Sequence, residues 1–125
     1  MPLAFGRHMK MRKTDEFSSV FRFKCTGGNA GLAVMAAPNG LEHARLGLII
    51  PKRIIADAVR RNRVKRLLRE GFRLRQHELH GLDIVARMKA EMTETDLLDT
   101  FGSAMLLCAS CVRKRLRNAA AALPA

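Results

Sequence analysis

One stretch decides the fold of this chain: residues 57–78 read DAVRRNRVKRLLREGFRLRQHE. At 100° per residue the apolar positions of this stretch fall on one arc, which predicts an amphipathic helix with a defined core side. These positions are Val64, Leu67, Leu68 and Phe72. The remaining arc carries Asn62, Lys65, Arg66, Arg69 and Arg73. The helix is therefore expected to bury one side and to present a basic side to solvent or to a partner.

Short apolar runs on both sides of this helix predict three strands, at Leu32–Ala37, Leu46–Ile50 and Leu82–Arg87. The first two strands are expected to pair antiparallel, because a turn signal, Pro38-Asn39-Gly40, lies between them.

Helices are also expected near both ends of the chain. Thr14 is expected to cap a short helix, and Gly27-Gly28-Asn29 is expected to break the chain after it. A last helix is expected to begin near Thr93 or Thr95. The resulting order, α-β-β-α-β-α, is typical of the α+β class, in which helices pack on one small sheet.

The length and composition bound the class of protein. The 125 residues suit a single domain, expected over residues 1–118 with a frayed tail at 119–125. An apolar content of 48% excludes global disorder. No apolar stretch approaches the roughly 18 residues of a membrane span, so none is expected. Three cysteines, an odd number, and a start without the apolar core of a secretory signal favour a reducing cytoplasm.

The charge is strongly positive and unevenly spread. Lys and Arg number 23 against 11 Asp and Glu, which gives a formal net charge of +12. Within the predicted helix, Lys65 and Arg69 form a like-charge pair one turn apart, which destabilises an isolated helix. A phosphate-bearing partner is therefore favoured over a surface that only serves solubility. An anionic membrane is the second candidate partner.

Two smaller features leave their roles open. Phe17 and Phe21 share one helix side, and they either pack in the core or, beside Arg22 and Lys24, stack the bases of a single-stranded nucleic acid. Asn62 either caps the local backbone or contacts a base edge.

No pattern indicates catalysis by protein side chains or a metal site. Cys108 and Cys111 lie deep in a predicted helix without a second pair of ligands, so they are expected to pack at a helix interface. The four histidines form no metal-binding or nucleophile pattern, and the chain has no phosphate-binding glycine loop. No catalytic residue and no metal ligand is predicted.

The order of these motifs resembles the protein component of bacterial ribonuclease P. The resemblance is strongest at Arg45–Arg53 and Ala58–Glu70, with Arg61-Asn62-Arg63 at the centre, and it extends through Asp15–Phe21, Phe72–Leu79 and Asp83–Ala86. It implies an α-β-β-β-α-β-α order with a mostly antiparallel sheet, like the second domain of ribosomal protein S5, and a left-handed βαβ crossover. A fourth strand is then expected inside Ala30–Ile50, or from a split of the last strand region.

The resemblance also implies a function. The family member is the RNA-binding subunit of a ribonucleoprotein hydrolase, an endonuclease that removes the 5′ leader from precursor tRNA. Catalysis then belongs to an RNA subunit that binds most of the Mg²⁺. The protein is expected to be a cytoplasmic monomer that pairs with this RNA, has no membrane partner and lowers the Mg²⁺ requirement, since cations reduce the repulsion between two RNAs.

Two sets of residues receive roles from the resemblance. The set expected to bind the RNA subunit is Arg60, Arg61, Asn62, Arg63, Lys65, Arg66, Arg69 and Arg73. The set expected to hold the single-stranded leader is Phe17, Phe21, Met35, Lys52 and Arg53. The strand Leu32–Ala36 lacks the aromatic residue usual in the family, so leader stacking is expected to rest on the two phenylalanines. The alternative is a structural or ribosome-associated RNA-binding protein of the same fold without a role in catalysis.

Overall fold

The computed structural model describes residues 5–122. After a short 3-10 turn at Arg7–Met9, the helices are α1 (Thr14–Phe23), α2 (Ala58–Arg75) and α3 (Glu94–Ala122). The strands are β1 (Cys25–Gly28), β2 (Leu32–Pro38), β3 (Arg45–Ile49) and β4 (Leu82–Met88). The α+β class and the order α-β-β-β-α-β-α implied by the resemblance are confirmed.

The four strands form one sheet in the order β1-β2-β4-β3. β1 pairs antiparallel with β2, and β2 pairs antiparallel with β4, whereas β3 lies parallel to β4. The expectation that β2 and β3 pair is wrong, because β4 lies between them. Helix α2 makes the crossover that two neighbouring parallel strands require. The left hand of this β3-α2-β4 crossover stays a prediction.

The fourth strand is β1, so its expected position inside Ala30–Ile50 or in the last strand region is wrong. Gly27 and Gly28, expected to break the chain, belong to this strand. The turn comes at Asn29, whose Oδ1 accepts two backbone N–H groups in the loop to β2, at 2.8 and 3.0 Å. A Cβ at Gly27 would already touch Sγ of Cys108 at 3.4 Å. The missing side chain thus lets α3 lie close to β1.

Helices cover both faces of the sheet. α2 and α3 pack over the main core, whose fully buried residues include Leu68, Phe72, Ile84, Phe101 and Met105. α1 packs on the opposite face over a smaller cluster of Met11, Val20, Met35, Ala37 and Val85. The predicted core side of α2 is confirmed by the burial of Leu68 and Phe72. Burying a side chain of this size contributes about 1.5–3 kcal/mol.

Helix α1 begins at Thr14, but Thr14 is not its cap. The capping position is Lys13. The carboxylate of Glu16 accepts the backbone N–H groups of Arg12 at 3.0 Å and Lys13 at 2.8 Å. An acidic group in the first turn also interacts favourably with the helix dipole. Glu16, and not Thr14, therefore accepts hydrogen bonds from the backbone N–H groups at the start of α1.

Glu16 also ties α1 to the sheet. Its carboxylate pairs with Arg45 of β3. Arg45 in turn donates two hydrogen bonds to Asp83 of β4, at 2.8 and 2.7 Å. The backbone hydrogen bonds to Glu16, with a smaller contribution from Arg45, hold the pKa of this carboxyl below its usual value. The Glu16–Arg45–Asp83 network fixes the start of α1 over one end of β3 and β4.

Replacing Glu16 by glutamine is expected to lower the free energy of unfolding by about 1–2 kcal/mol near pH 7. The amide oxygen can still accept the two backbone N–H groups, but the NH2 group that replaces the second oxygen cannot accept from Arg45, and the charge is lost. The folded-state pKa of Glu16 is lowered, so its contribution is complete above the unfolded-state pKa and is lost as the pH falls through the folded-state value. Urea unfolding of both proteins near pH 7 and near pH 3 checks this. A difference that persists undiminished at the lower pH would contradict it.

Helix α3 extends to Ala122, and the frayed tail expected at 119–125 stays a prediction, with residues 123–125 outside the described part. Among residues 5–122, α3 is the one helix whose length and composition alone would let it cross a membrane, over Glu94–Ala121. Its apolar side lies in the core, where Leu97, Phe101 and Val112 are at most 1% exposed. This packing accounts for part of the apolar composition of the helix, whose other side exposes Leu98, Leu106, Leu107 and Leu116.

The cysteines of α3 have different roles. Cys108 packs at the helix interface as expected, and its Sγ donates to the carbonyl of Val34 at 3.4 Å. Burial raises the pKa of this thiol to about 11. Cys111 instead forms a disulfide with Cys25 of β1, 86 positions away in the sequence. The expectation that both cysteines only pack is therefore wrong for Cys111, because its partner lies in the strand that the sequence pattern did not show.

Reduction of the Cys25–Cys111 bond is expected to lower the free energy of unfolding by about 2–4 kcal/mol without loss of the fold, because the bond mainly constrains the unfolded chain. Cys25 is buried in the folded protein and is expected to stay packed as a thiol. Urea unfolding with and without dithiothreitol measures the change. Cys111→Ser is the control, since its stability should not respond to the reductant. Three titratable thiols in the unfolded, unreduced protein would show that the bond does not form.

Candidate nucleic-acid interface

Helix α1 covers only one half of its sheet face. Its start is tied to Arg45 and Asp83, which are neighbours in register at one end of β3 and β4. Its last residues lead into Cys25, which pairs with Ala36 near the same end of β2. The helix therefore crosses the strands at this end and leaves the other end uncovered.

The uncovered half forms the floor of a cleft. Side chains alternate along a strand, so residues two positions from the buried Met35 and Val85 lie on the same face. These are Ala33 and Arg87, which are opposite each other in register, and Ile49 lies beside Arg87 on β3. Ala33 and Ile49 are half-buried, whereas Arg87 is exposed. Arg87 thus lies on a floor of small and apolar side chains.

Phe17 and Phe21 form the helical wall of this cleft. Glu16 and Ser19 line a depression at the end of the sheet where Arg45 and Asp83 lie. With 3.6 residues per turn, Phe17 and Phe21 lie on the other side of the inward-facing Val20, toward the open half. Phe17 is half-buried in the cluster under α1, and Phe21 is 40% exposed. The two rings therefore differ in their surroundings, because Phe17 packs against the sheet whereas Phe21 is accessible to a ligand.

A glycine sets how closely Phe17 approaches the sheet. A Cβ at Gly47 of β3 would lie 2.5 Å from Cε1 and 2.6 Å from Cζ of the Phe17 ring. Any larger residue at this position would push the ring away. Gly47 thus allows α1 to rest directly on the backbone of β3.

Lys52 and Arg53 lie just beyond β3, at the open end of the floor. The carbonyl of Pro51 accepts the N–H groups of Ile54 and Ile55 at 3.0 and 3.2 Å, which forms a turn that holds them there. Both cations are exposed, and neither has a carboxylate partner within residues 5–122. Of the five residues expected to hold a leader, Phe21, Lys52 and Arg53 border the open half of this face. Phe17 and Met35 instead pack in the cluster under α1, where Met35 is only 8% exposed.

Three of the arginines expected to contact the RNA subunit pair with carboxylates of this chain. The pairs are Arg60–Glu91, Arg63–Glu94 and Arg73–Glu70. The hydrogen bond to Arg63 lowers the pKa of Glu94, and the one to Arg73 lowers that of Glu70. Exposed ion pairs of this kind are weak and screened by salt, so a phosphate can replace the carboxylate at little cost.

Arg61 has a structural contact that the sequence analysis did not predict. Its Nη1 donates to the carbonyls of Ile55 at 2.9 Å and Ala56 at 2.7 Å, which fixes the loop that enters α2. The cap of α2 is Asp57, whose Oδ1 accepts a backbone N–H of the first turn at 2.9 Å. Asn62 is therefore not the cap, and it is exposed on the basic side of the helix.

The middle of α2 carries cations without a carboxylate partner anywhere in residues 5–122. They are Lys65, Arg66 and Arg69. Arg66 is exposed, and the stems of the other two are half-buried. An anion between Lys65 and Arg69 would relieve their mutual repulsion. These three residues form the unpaired centre of the basic helix.

Arg87 is the cleft residue that the sequence analysis missed. A signal was present, since Arg87 is a charged residue that lies between the apolar Ala86 and Met88 near the end of β4. Strand alternation separates it from both neighbours and turns it to the face that α1 only half covers.

No three His, Cys, Asp or Glu side chains in the described ranges lie together in a way that could hold a metal ion. Glu70, Glu91 and Glu94 each pair with an arginine of the basic helix. The described residues therefore form no metal site, and the expectation that an RNA subunit binds most of the Mg²⁺ stays a prediction.

A small α+β fold with an exposed phenylalanine beside a half-open sheet face, and with three central cations of α2 that have no carboxylate partner in the described residues, is typical of a nucleic-acid-binding protein. The model of the family described as Ribonuclease P matches residues 5–108, and the chain belongs to this family.

Curated relatives are similar over nearly the whole chain. The chain is 44% identical over 111 residues to the Ribonuclease P protein component of Chromobacterium violaceum. The matched region covers 89% of this chain and 92% of the relative. The chain is also 44% identical over 119 residues to the Ribonuclease P protein component of Burkholderia pseudomallei. That match covers 94% of this chain and 86% of the relative.

Solved structures share the fold. The RNase P protein of Staphylococcus aureus gives a TM-score of 0.67 at 23% identity, over 79% of this chain and 94% of that one. The RNase P protein of Thermotoga maritima, solved in complex with 1-(4-fluorophenyl)-2-thiourea, gives a TM-score of 0.66 at 25% identity. This match covers 78% of this chain and 96% of that one.

Proposed function

We propose that this chain is the protein subunit of a ribonuclease P, in which it helps an RNA subunit remove the 5′ leader from precursor tRNA. The observation that carries the proposal is the open half of the sheet face, with Phe21 on the wall, Arg87 on the floor, and Lys52 and Arg53 at the rim. Bases stack on an exposed aromatic ring and phosphates pair with cations, so the groove suits a single strand. Such contacts tolerate many sequences, as leaders of different tRNAs require.

The RNA subunit is proposed to bind the basic side of α2. Lys65, Arg66 and Arg69 supply unpaired charge, and Arg60, Arg63 and Arg73 can exchange their carboxylates for phosphates. Helix α2 and the cleft belong to opposite faces of the sheet, so one small protein can contact two RNAs together. Its charge of +12 lowers the repulsion between them, and less Mg²⁺ is then needed.

We assign the bond cleavage to the RNA subunit, whose Mg²⁺ would supply charge stabilisation for hydrolysis. The protein is proposed to act as a monomer with one RNA in the cytoplasm. The thiol pool of that compartment keeps most cysteines reduced. The Cys25–Cys111 bond is then expected to be open there, with both residues still packed between β1 and α3.

Reconstitution tests the proposal. The purified chain, a bacterial ribonuclease P RNA and end-labelled precursor tRNA are combined at low Mg²⁺, and each component is also run alone. Cleavage at the mature 5′ end is expected only when protein and RNA subunit are both present. A lysine oligomer of equal charge serves as the control for nonspecific neutralisation.

Two results would overturn the proposal. Rescue by the lysine oligomer to the same rate would show that the fold contributes nothing beyond its charge. Tight RNA binding without any rescue of cleavage would favour the structural RNA-binding protein.

A further inference from the structure

A second cationic site lies outside the cleft, at the outer edge of β3. A depression of about 230 Å³ opens there between the N-terminal segment, residues 5–13, and helix α2. Four cations line it: Lys10 and Arg12 from the N-terminal segment, and Lys65 and Arg69 from α2. We refer to this depression as the edge notch. The family resemblance assigned no role to Lys10 or Arg12.

Backbone hydrogen bonds hold the N-terminal segment in place at this edge. Lys10 forms a parallel bridge with Leu46, and the N–H of Met11 donates to the carbonyl of Leu46 at 3.0 Å. Met11 is buried under α1, and the N–H of Arg12 donates to Glu16 at 3.0 Å. The segment therefore extends the sheet by one bridge, and its two cations are fixed opposite those of α2.

The notch has no internal counter-ion. None of its four cations has a carboxylate partner within residues 5–122, and no acid lines the depression. The nearest acid in sequence, Glu16, already accepts two backbone N–H groups and pairs with Arg45. Like charges gathered around a partly buried site repel one another, so an anion bound between them would be strongly favoured.

The floor of the edge notch is apolar, which limits the chemical classes of ligand that fit it. Phe5 lies edge-on to Phe72 with ring centroids 5.6 Å apart, and Leu48 of β3 lies beside it. The volume exceeds that of several waters at about 30 Å³ each, so a phosphate and part of its ribose can enter together. Cations around an apolar floor suit a sugar–phosphate unit better than a free inorganic ion.

We propose that the edge notch binds the sugar–phosphate backbone of the RNA subunit, with Lys10 and Arg12 completing a site that α2 only begins. The identity of this RNA rests on the proposed function, because the notch shares Lys65 and Arg69 with the basic helix. The anion-binding property itself follows from the four unpaired cations alone. The N-terminal segment is then a second RNA-binding element and not only a cover for the β3 edge.

The test is the double variant Lys10→Ala with Arg12→Ala. Both backbone hydrogen bonds remain, so the melting temperature should stay unchanged. Binding of a bacterial ribonuclease P RNA is measured against salt concentration. Two lost phosphate contacts should reduce the slope of log K against log salt by about 2 and the affinity by about 30-fold near 0.15 M salt. The matched control is Lys114→Ala with Arg117→Ala, which removes the same charge from exposed positions on α3.

A second measurement is independent of the RNA subunit. Inorganic phosphate titrated into the wild type should shift the amide resonances of Lys10, Arg12 and Leu48, and the double variant should lose these shifts. Equal weakening of RNA binding by both double variants would overturn the proposal that the edge notch binds RNA. An absence of phosphate-induced shifts in the wild type would overturn it too. Failure of the reconstitution with phosphate shifts still present would overturn only the proposed function. If Lys10→Ala with Arg12→Ala fails to fold, Lys10→Gln with Arg12→Gln replaces it.

Discussion

Replacing Lys65, Arg66 and Arg69 together by alanine is expected to weaken binding of a bacterial ribonuclease P RNA about 100-fold near 0.15 M salt, since each lost phosphate contact costs roughly five-fold there. The fold should survive, because these side chains make no ion pair within the described part of the chain. Alanine is also the best helix former, and the substitutions remove the repulsion between Lys65 and Arg69. The melting temperature is therefore expected to stay equal or to rise slightly.

The control removes three cations at another place. Arg113, Lys114 and Arg117 lie on the exposed end of α3, so changing them to alanine lowers the net charge equally. Arg113 donates to the carbonyl of Glu78, and thermal unfolding monitors the loss of that contact. The control is expected to lose less than about ten-fold in affinity, as distant charges are screened beyond roughly 8 Å. Equal losses in both triple variants would mean that the α2 surface has no special part in RNA binding.

Replacing Phe21 by alanine is expected to raise the KM for precursor tRNA with a leader of about ten nucleotides by roughly ten-fold, because stacking on one aromatic ring contributes about 1–3 kcal/mol per base. A precursor with a single-nucleotide leader should show little change, since its leader does not reach the cleft. Phe21 is 40% exposed, so the melting temperature should fall little. Steady-state kinetics of the reconstituted enzyme with both substrates measures the difference.

Phe17→Ala is the informative companion to that variant. Its ring lies against the backbone at Gly47 and packs in the cluster under α1, so its removal should cost about 3–5 kcal/mol of stability. If Phe21→Ala instead lowers stability, or raises KM equally for both substrates, the ring is a packing residue and the cleft is not the leader site.

The basic helix could be predicted from the sequence because its pattern is local. Eighteen residues of α2 repeat one apolar arc, and the burial of Leu68 and Phe72 follows from that period alone. Among the residues expected to hold a leader, Phe21, Lys52 and Arg53 are exposed beside the open half of the sheet face, and their role in binding a leader stays a prediction.

The remaining features depend on contacts between distant residues. β1 has the sequence Cys-Thr-Gly-Gly, which carries no strand pattern, and pairing with β2 and packing under α3 make it a strand. The disulfide could not be foreseen without that strand. Arg61 looked like its neighbours on α2, and only the path of the loop at Ile55 and Ala56 reveals its internal hydrogen bonds. Strand partners are fixed by tertiary contacts, which is why β2 was paired wrongly with β3.

The strand order has a consequence for how the chain folds as it is synthesised. β4 supplies the neighbour of both β2 and β3, yet it begins only at Leu82, after about two-thirds of the chain. Until then β1 and β2 can pair as a hairpin, whereas the strand neighbour of β3 is still absent. Domains dominated by such non-local pairings fold late and expose strand edges meanwhile. A fragment that stops before Leu82 therefore cannot complete its sheet, and the two proposed RNA-binding surfaces, which lie on opposite faces, can form only once β4 has been inserted.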